Sequence, residues 1–398
     1  AAGTLAYVTD PYENTLRQVD LVNLPALSSV TLPSPISSSQ PAYAIKYDTN
    51  GTALFGISIN GAAATCTSSA LAVDSQENFY ITGTYLGTPT ASSTSTGAIT
   101  FPTATSTNSY VIKYNSSGVP QWASVIDGIS GDTTRHVAVD SSQNVYVAGF
   151  YTNSSSPPTF YNASNSAVLT PPTLSTVTSA AFVAKYSSTG TPLWVAVIDG
   201  VGNDIANKVH IDSQGTVYVI GQYQTSATAP TLYNSDGTVS TVTLPTPANT
   251  QSKGFIIAYT NSGEVLDALQ VDGSGAQALN DIGIDSIGNI FVVGNYSTAA
   301  PTVYNDKAVN QSLVTLPTPQ NNAAYLVKYN TSSQTNYNLP SNLPYSTTGM
   351  MKFITNTGAN TTTINVKVGD VSSSNATTFQ IAPGSTARLG WYAKWYQL

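Results

Sequence analysis

Hydrophobic and polar positions along this chain alternate with a period of two rather than 3.6. Short runs rich in Val, Ile, Tyr and Phe, such as VYVAGFY at 145–151, are interrupted by D-S-x-x-N/G or S-S-x-G turns. This pattern predicts short β-strands in tight hairpins, because branched and aromatic side chains suit a pleated surface and Asx side chains close turns on their own backbone.

The pattern also repeats. SSALAVDSQENFYITGTY returns as TRHVAVDSSQNVYVAGFY, NKVHIDSQGTVYVIGQY and NDIGIDSIGNIFVVGNY, and its aspartates (Asp74, Asp140, Asp212, Asp285) lie 66, 72 and 73 residues apart. A second element follows each copy: NSYVIKYNSSGVPQWASVIDG, AAFVAKYSSTGTPLWVAVIDG and KGFIIAYTNSGEVLDALQVDG. It also occurs earlier as PAYAIKYDTNGTALFGISING and later as a shortened AAYLVKYN, its tyrosines being Tyr47, Tyr114, Tyr186, Tyr259 and Tyr329. Self-similarity at a nearly fixed spacing marks a repeat architecture. Five units of about 70 residues are expected over 1–331.

Each unit reads as two hairpins, with the four aspartates as turn formers. Gly83, Gly149, Gly221 and Gly294 sit in the second strand, two residues before Tyr85, Tyr151, Tyr223 and Tyr296, and are expected where sheets pack closely. Trp122 and Trp194 fall in the fourth strand, where a large ring would fill the space between adjacent sheets. Between the hairpins lies a variable insert, such as TFYNASNSAVLTPPTLS, which reads as a further hairpin with a Pro-containing return. Proline supplies no ladder donor, so an outer edge is its expected place.

VAVDSSQNVYVAG at 137–149 and AAFVAKYSSTGTPLW at 180–194 resemble the SBBP-type β-propeller repeat, and weaker versions cover about four-fifths of the chain. The resemblance implies a radial array of four-stranded blades on extracellular or surface proteins of microbes, and no particular activity. The expected fold is therefore all-β: a propeller-like array of about five units, followed by a small C-terminal β-module. The long Pro/Thr inserts depart from the family. GTLAYVTDPY aligns with GTVYVIGQY, so the first unit opens at its second strand, while the last stops after its third. Five third-strand signatures against four opening strands leave an edge open unless a strand comes from elsewhere.

Residues 332–348 read as a polar, Pro-containing linker, and 349–398 as a separate module of four short strands with Pro383-Gly384 in a type II turn. Its ending, FQIAPGST followed by GWYAKWYQL, resembles small terminal β-modules of phage and large-virus structural proteins. About fifty residues make a marginal core, so the module is expected to pack on the propeller or on another subunit.

Composition narrows the function. Charged residues are 8% of the chain against roughly 25% in an average soluble domain, yet hydrophobic residues at 41%, with 24 Tyr, suffice for a core. A net charge of −7 excludes a general nucleic-acid binder. No apolar run approaches the length of a membrane span. One Cys and two His exclude a disulfide scaffold, a Cys-based zinc site and most His-centred catalysis. Cys66 reads as a small buried apolar residue. A surface of hydroxyls and amides suits an extracellular location or a cell or virion surface, and AAGTLAYVTD fits a mature product cut after small residues. Asn50, Asn115, Asn153, Asn162, Asn295, Asn310, Asn330, Asn360 and Asn375 are glycosylation candidates in Asn-x-Ser/Thr sequons.

Carboxylates recur where the fourth strand passes to the next unit: Asp127 with Asp132, Asp199 with Asp204, Asp272 with Asp281. Such pairs can serve glycoside hydrolysis or calcium binding, but Asp-Gly turns account for them, and only calcium remains open as a cofactor. His136 and His210 occupy one face of equivalent strands and read as ordinary packing. No nucleophile elbow, P-loop or dinucleotide fingerprint occurs. The expected protein is not an enzyme. It is an extracellular structural or assembly protein, a subunit of a surface filament or appendage that self-associates by strand complementation. Leu5 and Tyr7 in Ala1–Asp10, and Trp391 and Trp395 in the tail, are the assembly candidates. The alternative is a carbohydrate-binding adhesin whose Tyr and Trp stack on glycans.

Overall fold

The computed structural model describes residues 41–305 apart from 62, 130, 153–155, 175–177, 225–227, 248, 286–287 and 298–300, with side chains up to 302; outside that stretch it describes strand backbone only. The chain divides into two compact units, Ala1–Tyr329 and Asn330–Leu398. Among the described residues every regular element is a β-strand.

The first unit begins with β1 (Leu5–Asp10), β2 (Thr15–Asp20), β3 (Ala42–Tyr47) and β4 (Ala53–Asn60). The first complete repeat runs β5 (Thr65–Val73), β6 (Phe79–Gly87), β7 (Thr90–Ser93), β8 (Ala98–Thr100), β9 (Ala104–Tyr114) and β10 (Pro120–Asp127). The next holds β11 (Asp132–Val139), β12 (Val145–Thr152), β13 (Thr159–Tyr161), β14 (Ala167–Leu169), β15 (Ser179–Tyr186) and β16 (Pro192–Asp199). It is followed by β17 (Ile205–Ile211), β18 (Val217–Tyr223), β19 (Thr231–Tyr233), β20 (Lys253–Tyr259) and β21 (Val265–Asp272). The last repeat comprises β22 (Gln277–Ile284), β23 (Asn289–Tyr296), β24 (Thr302–Asn305), β25 (Val314–Thr315) and β26 (Ala323–Asn330).

The two hairpins of each repeat pair as one antiparallel sheet, in the order β5-β6-β9-β10, β11-β12-β15-β16 and β17-β18-β20-β21. These are the blades of a propeller-like array. Their opening strands β5, β11, β17 and β22 neighbour one another in sequence order and are the inner strands. Among the described residues the sheet β22-β23-β26 has three strands, and β3-β4 begins a sheet with β3 at its edge.

The inserts lie at outer edges, but on the sheet of the preceding blade rather than their own. β7 pairs with β4, β13 with β10, β19 with β16 and β24 with β21, through registers such as Ile126↔Phe160 and Ile198↔Leu232. Phe160 and Leu232 are buried by that pairing. Each blade is therefore completed by a strand from the next, and the apolar side chains of the insert close the groove between them. β1 pairs with β2 in a separate two-stranded sheet, which corrects the alignment of GTLAYVTDPY with a second strand beside β3.

Apolar clusters lie between successive sheets: Phe55 and Ile57 with Phe79 and Tyr110, Trp122 with Tyr186, Trp194 with Phe255, Ile256 with Leu279. An aromatic of each outer strand also covers the hairpin glycine of the next blade. Phe55 faces Gly118, Trp122 faces Gly190 and Trp194 faces Gly263, all three glycines having φ near +80°. The tryptophans thus bridge sheets as their position implied.

The second-strand glycines have a different origin from the one expected. A Cβ on Gly83, Gly149 or Gly221 would land on the carbonyl oxygen of Thr67, Thr133 or Ile205, within its own sheet. The inner strand is bulged at that point and pushes its carbonyl toward the glycine, so the constraint comes from the bulge and not from packing between sheets.

The second unit holds β27 (Asn336–Leu339), β28 (Met350–Thr355), β29 (Thr362–Val366), β30 (Thr378–Ile381), β31 (Thr386–Trp391) and β32 (Trp395–Gln397). They form two three-stranded sheets, β27-β29-β30 and β28-β31-β32. The reading of 332–348 as linker is corrected here: β27 pairs in parallel with β29. The expected fourth strand is a hairpin, β31 with β32, and Pro383-Gly384 lies outside the described residues.

Candidate functional site

Each inner strand carries one extra residue relative to its partner, a β-bulge that re-aims a side chain. The register shifts between Ser68 and Ala70, Thr134 and His136, Ala206 and Lys208, and Leu279 and Asp281. The inserted residues are Ser69, Arg135, Asn207 and Asn280. All four, with Thr133, line one cavity of about 400 Å³. Arg135 lies over the Phe150 ring at 5.5 Å and donates from Nη1 to Asn207 Oδ1 at 3.3 Å, while Asn207 Nδ2 donates to the Leu279 carbonyl at 2.8 Å. These contacts hold the guanidinium and tie three inner strands together.

The nearest charges are largely self-compensated. Lys208 Nζ and Asp281 Oδ1 form an ion pair at 2.5 Å. Burial, and then the Lys208 charge, pushes His136 down to about 4, and burial also lowers His210. Both imidazoles are therefore neutral near pH 7, leaving Arg135 as the uncompensated charge.

The turn aspartates stand where the sequence put them. Asp140 Oδ1 accepts the amides of Ser142 (2.9 Å) and Asn144 (2.8 Å), and its Oδ2 accepts Asn144 Nδ2 and the Tyr146 hydroxyl. Asp74 and Asp212 repeat the pattern, and Asp285 accepts from the amide and side chain of Asn289.

Of the carboxylate pairs, Asp132 and Asp204 are buried beside exposed or half-buried turns. Burial pushes both up to about 8, against the lowering effect of the Gly128 and Gly200 amides. The third pair is corrected. Asp272 forms a buried ion pair with Lys253 at 2.6 Å within its own sheet, and Asp281 reaches from the next sheet to Lys208, so the two aspartates serve two separate cations. Gln277, not Asp281, occupies the place of Asp132 and Asp204, opposite the tyrosine of the second strand. Among the described residues no three His, Cys, Asp or Glu side chains converge. Cys66 is buried, and burial pushes its thiol up to about 11.

Among the repeated aromatic residues, Tyr80, Tyr114, Tyr146, Tyr186 and Tyr259 are fully buried, whereas Tyr43 and Tyr47 are exposed. Asn50 and Asn295 are exposed, whereas Asn115 and Asn162 close turns through their Oδ1 atoms. Asn330 lies on β26; Asn153, Asn310, Asn360 and Asn375 lie outside the described residues. Leu5 and Tyr7 fall on β1, and Trp391 stands directly opposite Trp395 across β31 and β32. No helix among the described residues is long and apolar enough to cross a membrane.

Sequence reasoning missed Arg135 and its three equivalents. The signal was present: each lies five residues before its turn aspartate, and all four copies are polar there.

The repeated antiparallel sheets, their inner strands and the interlocking inserts define a β-propeller-like repeat protein. An uncharacterized WD repeat-containing protein, L264 of Acanthamoeba polyphaga mimivirus, is similar: 29% identical over 209 residues, covering 47% of this chain and 15% of that protein. The chain thus spans a minor part of the relative it matches. No family model matches the chain.

Proposed function

We propose that the chain is a non-enzymatic structural subunit of an extracellular, cell-surface or virion-surface assembly, in which copies join by adding a strand to the sheet that begins at β3. The observation that carries this reading is a difference between equivalent positions. Tyr43 and Tyr47 on β3 are 60% and 57% exposed, while their counterparts Tyr110 and Tyr114, Phe182 and Tyr186, and Phe255 and Tyr259 are 0% exposed. Those counterparts are covered by the second strand of their own blade and by the blade before, as Tyr114 stacks on Phe79 at 4.9 Å. Neither cover lies over β3 among the described residues.

An open strand edge beside exposed aromatic rings recruits another strand. The occupant in this reading is the tail unit of a second copy, whose β32 is itself an edge strand and carries Trp395. Donor and acceptor differ, so the contact is heterologous and can propagate as a filament. The inserts already use the same chemistry within the chain. A surface poor in charge lowers the repulsion between copies, and exposed Asn50 and Asn295 are compatible with glycosylation in an extracellular setting. Sedimentation velocity of the full chain and of a Tyr43→Asp/Tyr47→Asp variant tests it. The native chain should gain mass with concentration and the variant should stay monomeric; equal mass for the two would sink the reading.

A further inference from the structure

We propose that the inner-strand pocket formed by Ser69, Thr133, Arg135, Asn207 and Asn280 binds a small carboxylate-bearing, hydroxyl-rich ligand of the acidic-sugar class. This goes beyond the assembly reading and does not depend on it. Four successive blades each insert one bulged residue at the same place, and the four polar side chains meet at a single cavity of about 400 Å³. That volume lies within the range of small-molecule sites. A bulge disrupts its ladder and obliges a glycine opposite, as Gly83, Gly149 and Gly221 show, so four repetitions of it are a costly way to build a merely solvated surface.

The ligand class follows from the donors. Arg135 is held between the Phe150 ring and Asn207, uses one of its five N–H donors on Asn207, and is exposed toward the cavity. A planar guanidinium held in this way matches a carboxylate through two parallel hydrogen bonds. The side chains of Ser69, Thr133 and Asn280 carry no hydrogen bond among the described residues, and their hydroxyls and amide both donate and accept. Sugar hydroxyls need this mixed character. A phosphate or a polyanion would call for further cations, and Lys208 is already paired with Asp281.

The test is calorimetric and ligand-observed NMR titration of the full chain with galacturonate, with galactose as the neutral counterpart and acetate as the bare carboxylate. Galacturonate should bind at millimolar concentration or tighter, and galactose and acetate each about tenfold more weakly. Arg135→Gln, in protein that remains folded, should weaken galacturonate binding about 10- to 100-fold, as expected for loss of a charge-assisted hydrogen bond. Arg135→Lys, which keeps the charge but not the fork, should fall between, and serves alone if the Gln variant misfolds. Galacturonate that fails to bind, binds no better than galactose, or binds equally to a folded Arg135 variant would overturn the proposal.

Discussion

The indole of Trp194 lies over the backbone of Gly263 in the next blade and donates its Nε1–H to the Asn261 carbonyl at 3.0 Å. A Cβ on Gly263, whose φ is +89°, would come within 2.9 Å of the Trp194 ring. Trp122 meets Gly190 in the same way, donating to the Ser188 carbonyl at 2.9 Å. These locks transmit burial from blade to blade. Trp194→Ala should cost about 3–5 kcal/mol in urea unfolding, the usual range for a large buried ring. Trp194→Phe should cost less, retaining the ring contact but removing the indole donor and leaving the Asn261 carbonyl with Lys185 Nζ alone, at 3.3 Å.

Asp140 closes its hairpin with two backbone and two side-chain hydrogen bonds. Asp140→Ala should lower stability by about 0.5–2 kcal/mol, comparable to the loss of a helix cap that works by the same local geometry. Thermal unfolding measures it, and an unchanged midpoint would count against the assignment.

Gly149 and Gly283 make a matched pair. A Cβ on Gly149 meets the Thr133 carbonyl oxygen and lies 2.9 Å from Thr134 Cα, whereas one on Gly283 meets nothing within 4 Å. Gly149→Ala should therefore destabilise by more than about 2 kcal/mol, while Gly283→Ala stays within about 0.5 kcal/mol of the parent. Chemical denaturation of the two variants side by side decides it.

Asp132 and Asp204 set a pH dependence with a definite sign. Burial raises both to about 8 from 3.8, so between those values the folded chain holds protons that the unfolded chain has lost. Stability from these groups is complete below the unfolded value and falls as pH rises toward 8, by at most about 1.4 kcal/mol per pH unit for each group. Urea midpoints at pH 5 and pH 8 should show the decline. Asp132→Asn, which cannot ionise, should flatten it and be the more stable chain at pH 8.

What the sequence discloses depends on how local the cause is. Asp140 is legible because its partners, Ser142, Asn144 and Tyr146, lie within six residues. The strands are legible for the same reason, as their alternation is set residue by residue. Gly149 announces a constraint, but its cause is a carbonyl sixteen positions earlier, displaced by a bulge that only strand register reveals. Arg135 repeats in position and polarity but not in residue type, so the sequence marks an equivalent site in each copy while only the register shows the bulge there. The insert at Thr159–Tyr161 gives its edge character away through its prolines, yet not which sheet it joins, because that choice lies between blades. Asp272 looks like half of a carboxylate pair until Lys253 is placed beside it.

The central claim is that β3 accepts a strand from the tail of another copy. A photo-crosslinking side chain placed at Tyr43 of the full-length protein, mixed with an isotope-labelled unmodified copy, tests it directly. The account predicts crosslinks joining Tyr43 of one copy to labelled peptides covering β31 and β32 of the other, increasing with concentration. Crosslinks confined to the same molecule, or none to residues 386–397 at any concentration, would contradict it.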